Sequence, residues 1–175
     1  MDFEGIDGIL EDYRRRGYYP SAVCQIFDRE KTLYHKAFGN AALGIWYDLA
    51  SVSKIICTTM LLQAMEEGKL APEDLALEHL RGEALGPVTK ERLRDVTILR
   101  LMTHTSGLLP WYPFYADGRE VYTALEHALA TSAVEEGMAY SDLNFMLLGQ
   151  IFTCVTGLTL REGLERYIKA GMGNR

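Results

Sequence analysis

The β-strand signal in this chain is confined to residues 21–38, and everything after it reads as helix and loop. Ser21 to Asp28 (SAVCQIFD) and Thr32 to Phe38 (TLYHKAF) are rich in strand formers, and the polar stretch Asp28 to Lys31 lies between them. The pattern predicts a β-hairpin. Two strands do not make an independently stable sheet. The hairpin therefore predicts an α+β arrangement whose sheet needs further cover or further strands. At 175 residues the chain is long enough to bury a core without disulfides or metal.

Helical spacing accounts for most of the rest. Phe3, Ile6, Ile9, Leu10 and Tyr13 fall on one helical face, and Gly17 ends the run. Ser51 to Glu67 is apolar on almost every face, which predicts a helix buried on all sides, with Gly68 as its stop. Pro72 to Val96 alternates charged and small residues and is expected to be a surface excursion. Thr97 is placed to cap a short helix running to about Thr103. Gly107 to Gly118 reads as a structured loop, Arg119 to Thr131 and Asp142 to Val155 as helices, and Thr159–Glu162 as a capping box opening a last helix. The aromatics Trp111, Tyr112, Phe114 and Tyr115 either line a cleft or pack their loop onto the core.

Composition narrows the function classes. Eighteen Lys and Arg against 24 Asp and Glu give a net charge of −6, a poor match to phosphate-backbone binding, so no nucleic-acid partner is expected. The first residues carry no basic, apolar leader and no segment has a membrane-spanning run, so a cytoplasmic protein without a membrane span is expected. Cys24, Cys57 and Cys154 show no metal or redox spacing and are expected to be buried free thiols. The four histidines form no zinc pattern, so no metal and no cofactor is expected.

One segment, Asp48-Leu-Ala-Ser51-Val-Ser-Lys54, can carry chemistry. Ser51 stands at a helix start, where unpaired N–H groups favour negative charge, and Lys54 shares its face one turn along. A serine hydroxyl needs a neighbour to take its proton, and a lysine among apolar residues can become that base. A capping serine followed by a snorkelling lysine has the same spacing.

Longer blocks carry a resemblance. Trp46-Tyr-Asp-Leu-Ala-Ser51-Val-Ser-Lys54, Leu101-Met-Thr-His104-Thr-Ser106-Gly107-Leu108 and Tyr140-Ser-Asp142-Leu-Asn144-Phe, followed by Leu147-Leu-Gly149, occur in this order. They resemble signatures of the serine β-lactamase and penicillin-binding-protein superfamily, in its class C and esterase-like branch. Ser53 replaces the usual threonine, and Asp142 stands where the family often has Asn. The resemblance implies a serine hydrolase working through an acyl-enzyme on a small ester or a β-lactam or peptide amide. It implies Ser51 as nucleophile with its N–H as an oxyanion donor, Lys54 as proton acceptor, and Tyr140 as a second proton-transfer group. Asp142 would hold Lys54 as a cation, cap the following helix, or do both. His104 and Ser106 would fix a loop, with Gly107 permitting its turn.

The resemblance also implies a β-lactamase/transpeptidase-like fold in truncated form: one incomplete domain over 1–175, with helix plus hairpin in 1–45 and a mostly helical part in 46–175. The family's third motif, Lys-Thr-Gly or His-x-Gly on a late strand, does not follow the last helix, where only Gly171 and Gly173 remain. Self-association or a partner chain would then complete the sheet. The alternative is an inactive fragment or interaction module that keeps the helical scaffold.

Overall fold

The computed structural model describes residues 3–80 and 84–170; the tail holding Gly171 and Gly173 lies outside the described residues. The chain divides into two compact units, residues 1–49 and 50–175.

In the first unit, helix α1 (Glu4–Arg15) precedes strands β1 (Ser21–Phe27) and β2 (Thr32–Gly39). The strands pair antiparallel, from Ser21 opposite Gly39 to Phe27 opposite Thr32, with an irregularity between Ile26 and Phe27. Asp28 makes the turn: its carboxylate accepts from the N–H groups of Glu30 and Lys31, both at 2.8 Å. This is the local side chain-to-backbone bonding that makes Asp a turn former. Helix α1 is held to β2 by Asp7, which accepts from Tyr34 Oη and Lys36 Nζ. Among the described residues the sheet has these two strands.

The second unit is helical. A 3₁₀ turn (Ala50–Val52) leads into α2 (Ser53–Glu66), followed by α3 (Ala76–His79), α4 (Pro87–Leu93), α5 (Ile98–Met102), α6 (Phe114–Asp117), α7 (Val121–Thr131), α8 (Asp142–Thr156) and α9 (Leu160–Gly163), which continues as a π-helical turn over Leu164–Lys169. The predicted punctuation holds. Thr97 accepts from the Arg100 N–H, Thr159 and Glu162 form a capping box, and Gly157 closes α8 at φ 71°. At the core's centre lies α8, which buries Leu143, Leu147, Leu148, Ile151 and Phe152 against Met60, Leu61 and Ala64 of α2 and the helices around them.

Three expectations need correction. Residues 72–96 are not a surface excursion: Ala76, Leu80, Leu85, Leu93 and Val96 are buried, because short helices α3 and α4 turn their apolar residues inward beneath the charged ones. Helix α2 is not buried on all sides, since Ile55 and Leu62 are 68% and 49% exposed. Its composition records apolar faces and does not say which of them this chain covers. Nor are the thiols all buried. Cys24 and Cys57 are half-buried and Cys154 is exposed on α8.

Close packing reverses the usual effect of one glycine. A Cβ on Gly163 would lie 2.6 Å from the Phe152 ring and 2.7 Å from Met60 Cε, whereas one on Gly149 would meet Leu160 at an ordinary 3.5 Å. Alanine in a helix interior ordinarily gains about 0.5–1 kcal/mol over glycine. Gly149→Ala should therefore raise the unfolding free energy from urea titration by an amount of that order, and the midpoint with it. Gly163→Ala should lower it, because core overpacking costs about 1–3 kcal/mol.

Candidate active site

Ser51, Lys54, Tyr140 and Asp142 come together although the two pairs are far apart in sequence. The helical turn at the start of α2 sets Lys54 Nζ 3.0 Å from Ser51 Oγ. Across to α8, the same Nζ donates to Asp142 Oδ1 at 2.7 Å. Tyr140, just before α8, stands beside the same cation: Nζ is 4.9 Å from its ring centroid. The Phe145 ring lies near the same cation at 5.7 Å. Ala50, Ser51, Lys54, Asp142, Phe145 and Met146 line an open cleft.

The charges follow from these contacts. Burial pushes the Lys54 ammonium towards neutrality, but hydrogen bonds and charge from Asp142 and Tyr140 outweigh it and hold its pKa above the ordinary lysine value. An ammonium has three donors and no acceptor. Those of Lys54 serve Ser51 and Asp142, and the ammonium also faces the Tyr140 ring. Hydrogen bonds from Lys54, then Ser51, bring the Tyr140 phenol below its ordinary value against the opposing effect of burial. Asp142 is the first residue of α8, and Ser141 occupies the N-cap, so the Asp142 carboxylate serves the ion pair and not the cap.

The start of α8 is held by the loop after α5. His104 Nδ1 accepts from the Ser141 N–H and faces Asn144 Nδ2, both at 3.1 Å. Ser106 Oγ donates to Asn144 Oδ1 at 2.6 Å. Ser141 Oγ donates to the Leu109 carbonyl, and the Asp142 N–H to that of Pro110. The His104 ring lies 4.5 Å from that of Tyr140. Burial, then the nearby Lys54 charge, keeps His104 below the ordinary imidazole value and hence neutral near pH 7. Its hydrogen bonds go to the loop and α8, and the bond to Ser51 Oγ comes from Lys54, so His104 fixes the loop as expected. Gly107 takes φ 80° in that loop. Two non-glycine residues also have left-handed backbone: His104 at φ 58°, and Ala50 at φ 43° immediately before Ser51. Such strain persists only where the surroundings impose it.

Asn144 was not singled out by sequence reasoning. It is a fully buried polar residue within an otherwise apolar helix stripe, and that interruption was the available signal. Of the loop aromatics, Tyr112 and Phe114 pack on the core, while Trp111 and Tyr115 are exposed.

A model of the Beta-lactamase family matches residues 6–173. The chain belongs to this family. An Escherichia coli O157:H7 relative carrying the name "Putative D-alanyl-D-alanine carboxypeptidase" is 30% identical over 185 residues, covering 86% of this chain and 40% of its own length. A D-stereospecific amidohydrolase from Streptomyces sp. superposes with a TM-score of 0.82 at 24% identity, covering 98% of this chain and 55% of that one. A class C beta-lactamase gives 0.77 at 18% identity over 98% of this chain and 48% of that one. The chain has their α+β fold and spans about half the length of these structures. In this β-lactamase family chain, Ser51 and Lys54 of the first block meet Asp142 of the third at one cleft of the second unit, and His104 and Ser106 of the second block hold the start of α8.

The clamp makes a testable demand. Asn144→Leu would leave the buried Ser106 hydroxyl without its acceptor, and an unpaired buried polar group costs about 1–3 kcal/mol. Urea unfolding should show a loss of that size. Thr105→Ala, at an exposed hydroxyl of the same loop, should change stability by less than about 0.5 kcal/mol.

Proposed function

We propose that this chain carries the nucleophile, its proton-transfer group and a fixed cation for a serine hydrolase that forms an acyl-enzyme on a small ester or amide. The observation carrying this reading is the Lys54 ammonium, which bonds to Ser51 Oγ and is held by Asp142. The family match and the names of the relatives, a carboxypeptidase and an amidohydrolase, support acyl chemistry.

The sequence suggests Lys54 as the proton acceptor, but the contacts favour a different division of labour. Held as an ammonium by Asp142 and so without a lone pair, Lys54 is poorly suited to take a proton. Tyr140, beside the Lys54 cation and below its ordinary pKa, is better suited. In this scheme Ser51 Oγ attacks the carbonyl carbon and its proton passes to the Tyr140 phenolate. Lys54 stabilises the phenolate beforehand, and the Ser51 N–H at the helix start faces the developing oxyanion. Tyr140 then returns the proton to the leaving alcohol or amine as its bond to the acyl carbon breaks. Water, activated by the same phenolate, releases the acid and restores Ser51.

A second reading, a binding module with this scaffold and no turnover, draws on the two-stranded sheet of the described residues. The two readings differ in one assay. Treatment with a fluorophosphonate should place a single label on Ser51. Tyr140→Phe should slow labelling by about 100- to 10,000-fold, the usual worth of general-base catalysis. The ascending limb of labelling rate against pH should lie below about 10, the ordinary phenol value, because Lys54 lowers the Tyr140 pKa. A label on Ser106 or Ser141, or none on Ser51, would remove the hydrolase reading.

A further inference from the structure

Beside the cleft lies a second cavity that the proposed chemistry does not use. Its volume is about 180 Å³, and its walls come from α6, α7 and α8. Phe114, Leu125, Leu143 and Leu147 line it, together with the more exposed Val121 and Met146. The α8 wall is one helical stripe, Leu143, Met146, Leu147 and Gln150, at i, i+3, i+4 and i+7. The neighbouring stripe, Asp142, Phe145 and Met146, lines the catalytic cleft. Met146 lines both, so the two adjoin at its side chain.

We propose that this cavity is the subsite for an apolar group of the acyl donor, of the size of a phenyl ring or a six-carbon alkyl group. The inference rests on the serine-hydrolase reading. Size supports it, because an apolar cavity of about 150 Å³ takes benzene. Reach supports it as well. From Asp142, which shares Lys54 with Ser51, to Met146 is four helical residues, roughly 6 Å along the axis. An acyl arm of a few bonds spans that distance. The Met146 thioether side chain is flexible and able to shift as such a group passes. The lining is apolar apart from the Gln150 amide and the Tyr122 hydroxyl, which favours an uncharged arm over a carboxylate or an ammonium.

The test compares the rate of Ser51 modification by p-nitrophenyl 4-phenylbutyrate and by p-nitrophenyl acetate, each divided by its rate with hydroxide. The proposal expects the phenylbutyrate to be favoured by about tenfold or more, the scale on which apolar pockets discriminate. Val121→Trp places an indole at the mouth, at an exposed first residue of α7, and should bring the ratio close to one. Gln150→Trp, on the α8 wall, should do the same and serves if the first variant melts early. A wild-type ratio near one, or a preference that survives both substitutions in folded protein, overturns the proposal. Ser51 left unmodified by both esters would remove the hydrolase reading instead. The cavity is then judged by ligand-detected NMR with 4-phenylbutyrate: saturable binding lost in Val121→Trp supports an apolar site, and absence of such binding overturns it.

Discussion

The ion pair between Lys54 and Asp142 joins helices 88 residues apart in sequence, and the chemistry of the cleft depends on it. Lys54 is only 17% exposed in its side chain. An ammonium so placed would shed its proton readily if it stood alone. Asp142 and Tyr140 reverse that tendency and convert the lysine into a fixed cation. The cation then brings the phenol of Tyr140 down and orients the hydroxyl of Ser51. One charge pair thus prepares three side chains. Removing Asp142 would leave the largely buried Lys54 ammonium with its desolvation uncompensated, whereas Asp142 itself is more open to solvent.

The pair can form only if the start of α8 faces the start of α2, and a polar clamp arranges this. Asn144 is fully buried, yet both ends of its amide are engaged, by His104 and Ser106. Satisfied buried polar networks specify a unique arrangement more sharply than apolar contacts do. The clamp holds His104 in a left-handed conformation, and Ala50 carries a comparable strain one residue before Ser51. Both strained positions thus belong to segments that set the geometry of the cleft.

Much of this was legible in the sequence where the determining interactions are local. The hairpin, the Thr97 cap, the Thr159 capping box and the Ser51–Lys54 spacing all depend on residues within a turn of one another, and the structure has each of them. The meeting of Tyr140 and Asp142 with Lys54 is non-local and was reachable only through the family resemblance. Asn144 escaped notice because a polar residue inside a helix normally faces solvent, and only the packed helix shows that this one does not. The inward-facing Leu80 and Leu93 were hidden by the charged residues around them. For α2 the opposite error arose: apolar composition on every face was equated with burial, and Ile55 and Leu62 are open. Burial depends on what packs against a face, which periodicity alone does not record.

The charge state of Lys54 decides whether it acts as a fixed cation or as a base. A pH titration of its Nζ resonance by heteronuclear NMR, in wild type and in Asp142→Asn, measures that state directly. The predicted result is a wild-type pKa above the ordinary lysine value of about 10.4, and a fall in the variant, where burial acts with less opposition. A wild-type Lys54 that titrates below that value, or one indifferent to the loss of the Asp142 charge, would contradict the account and return Lys54 to the role of neutral base.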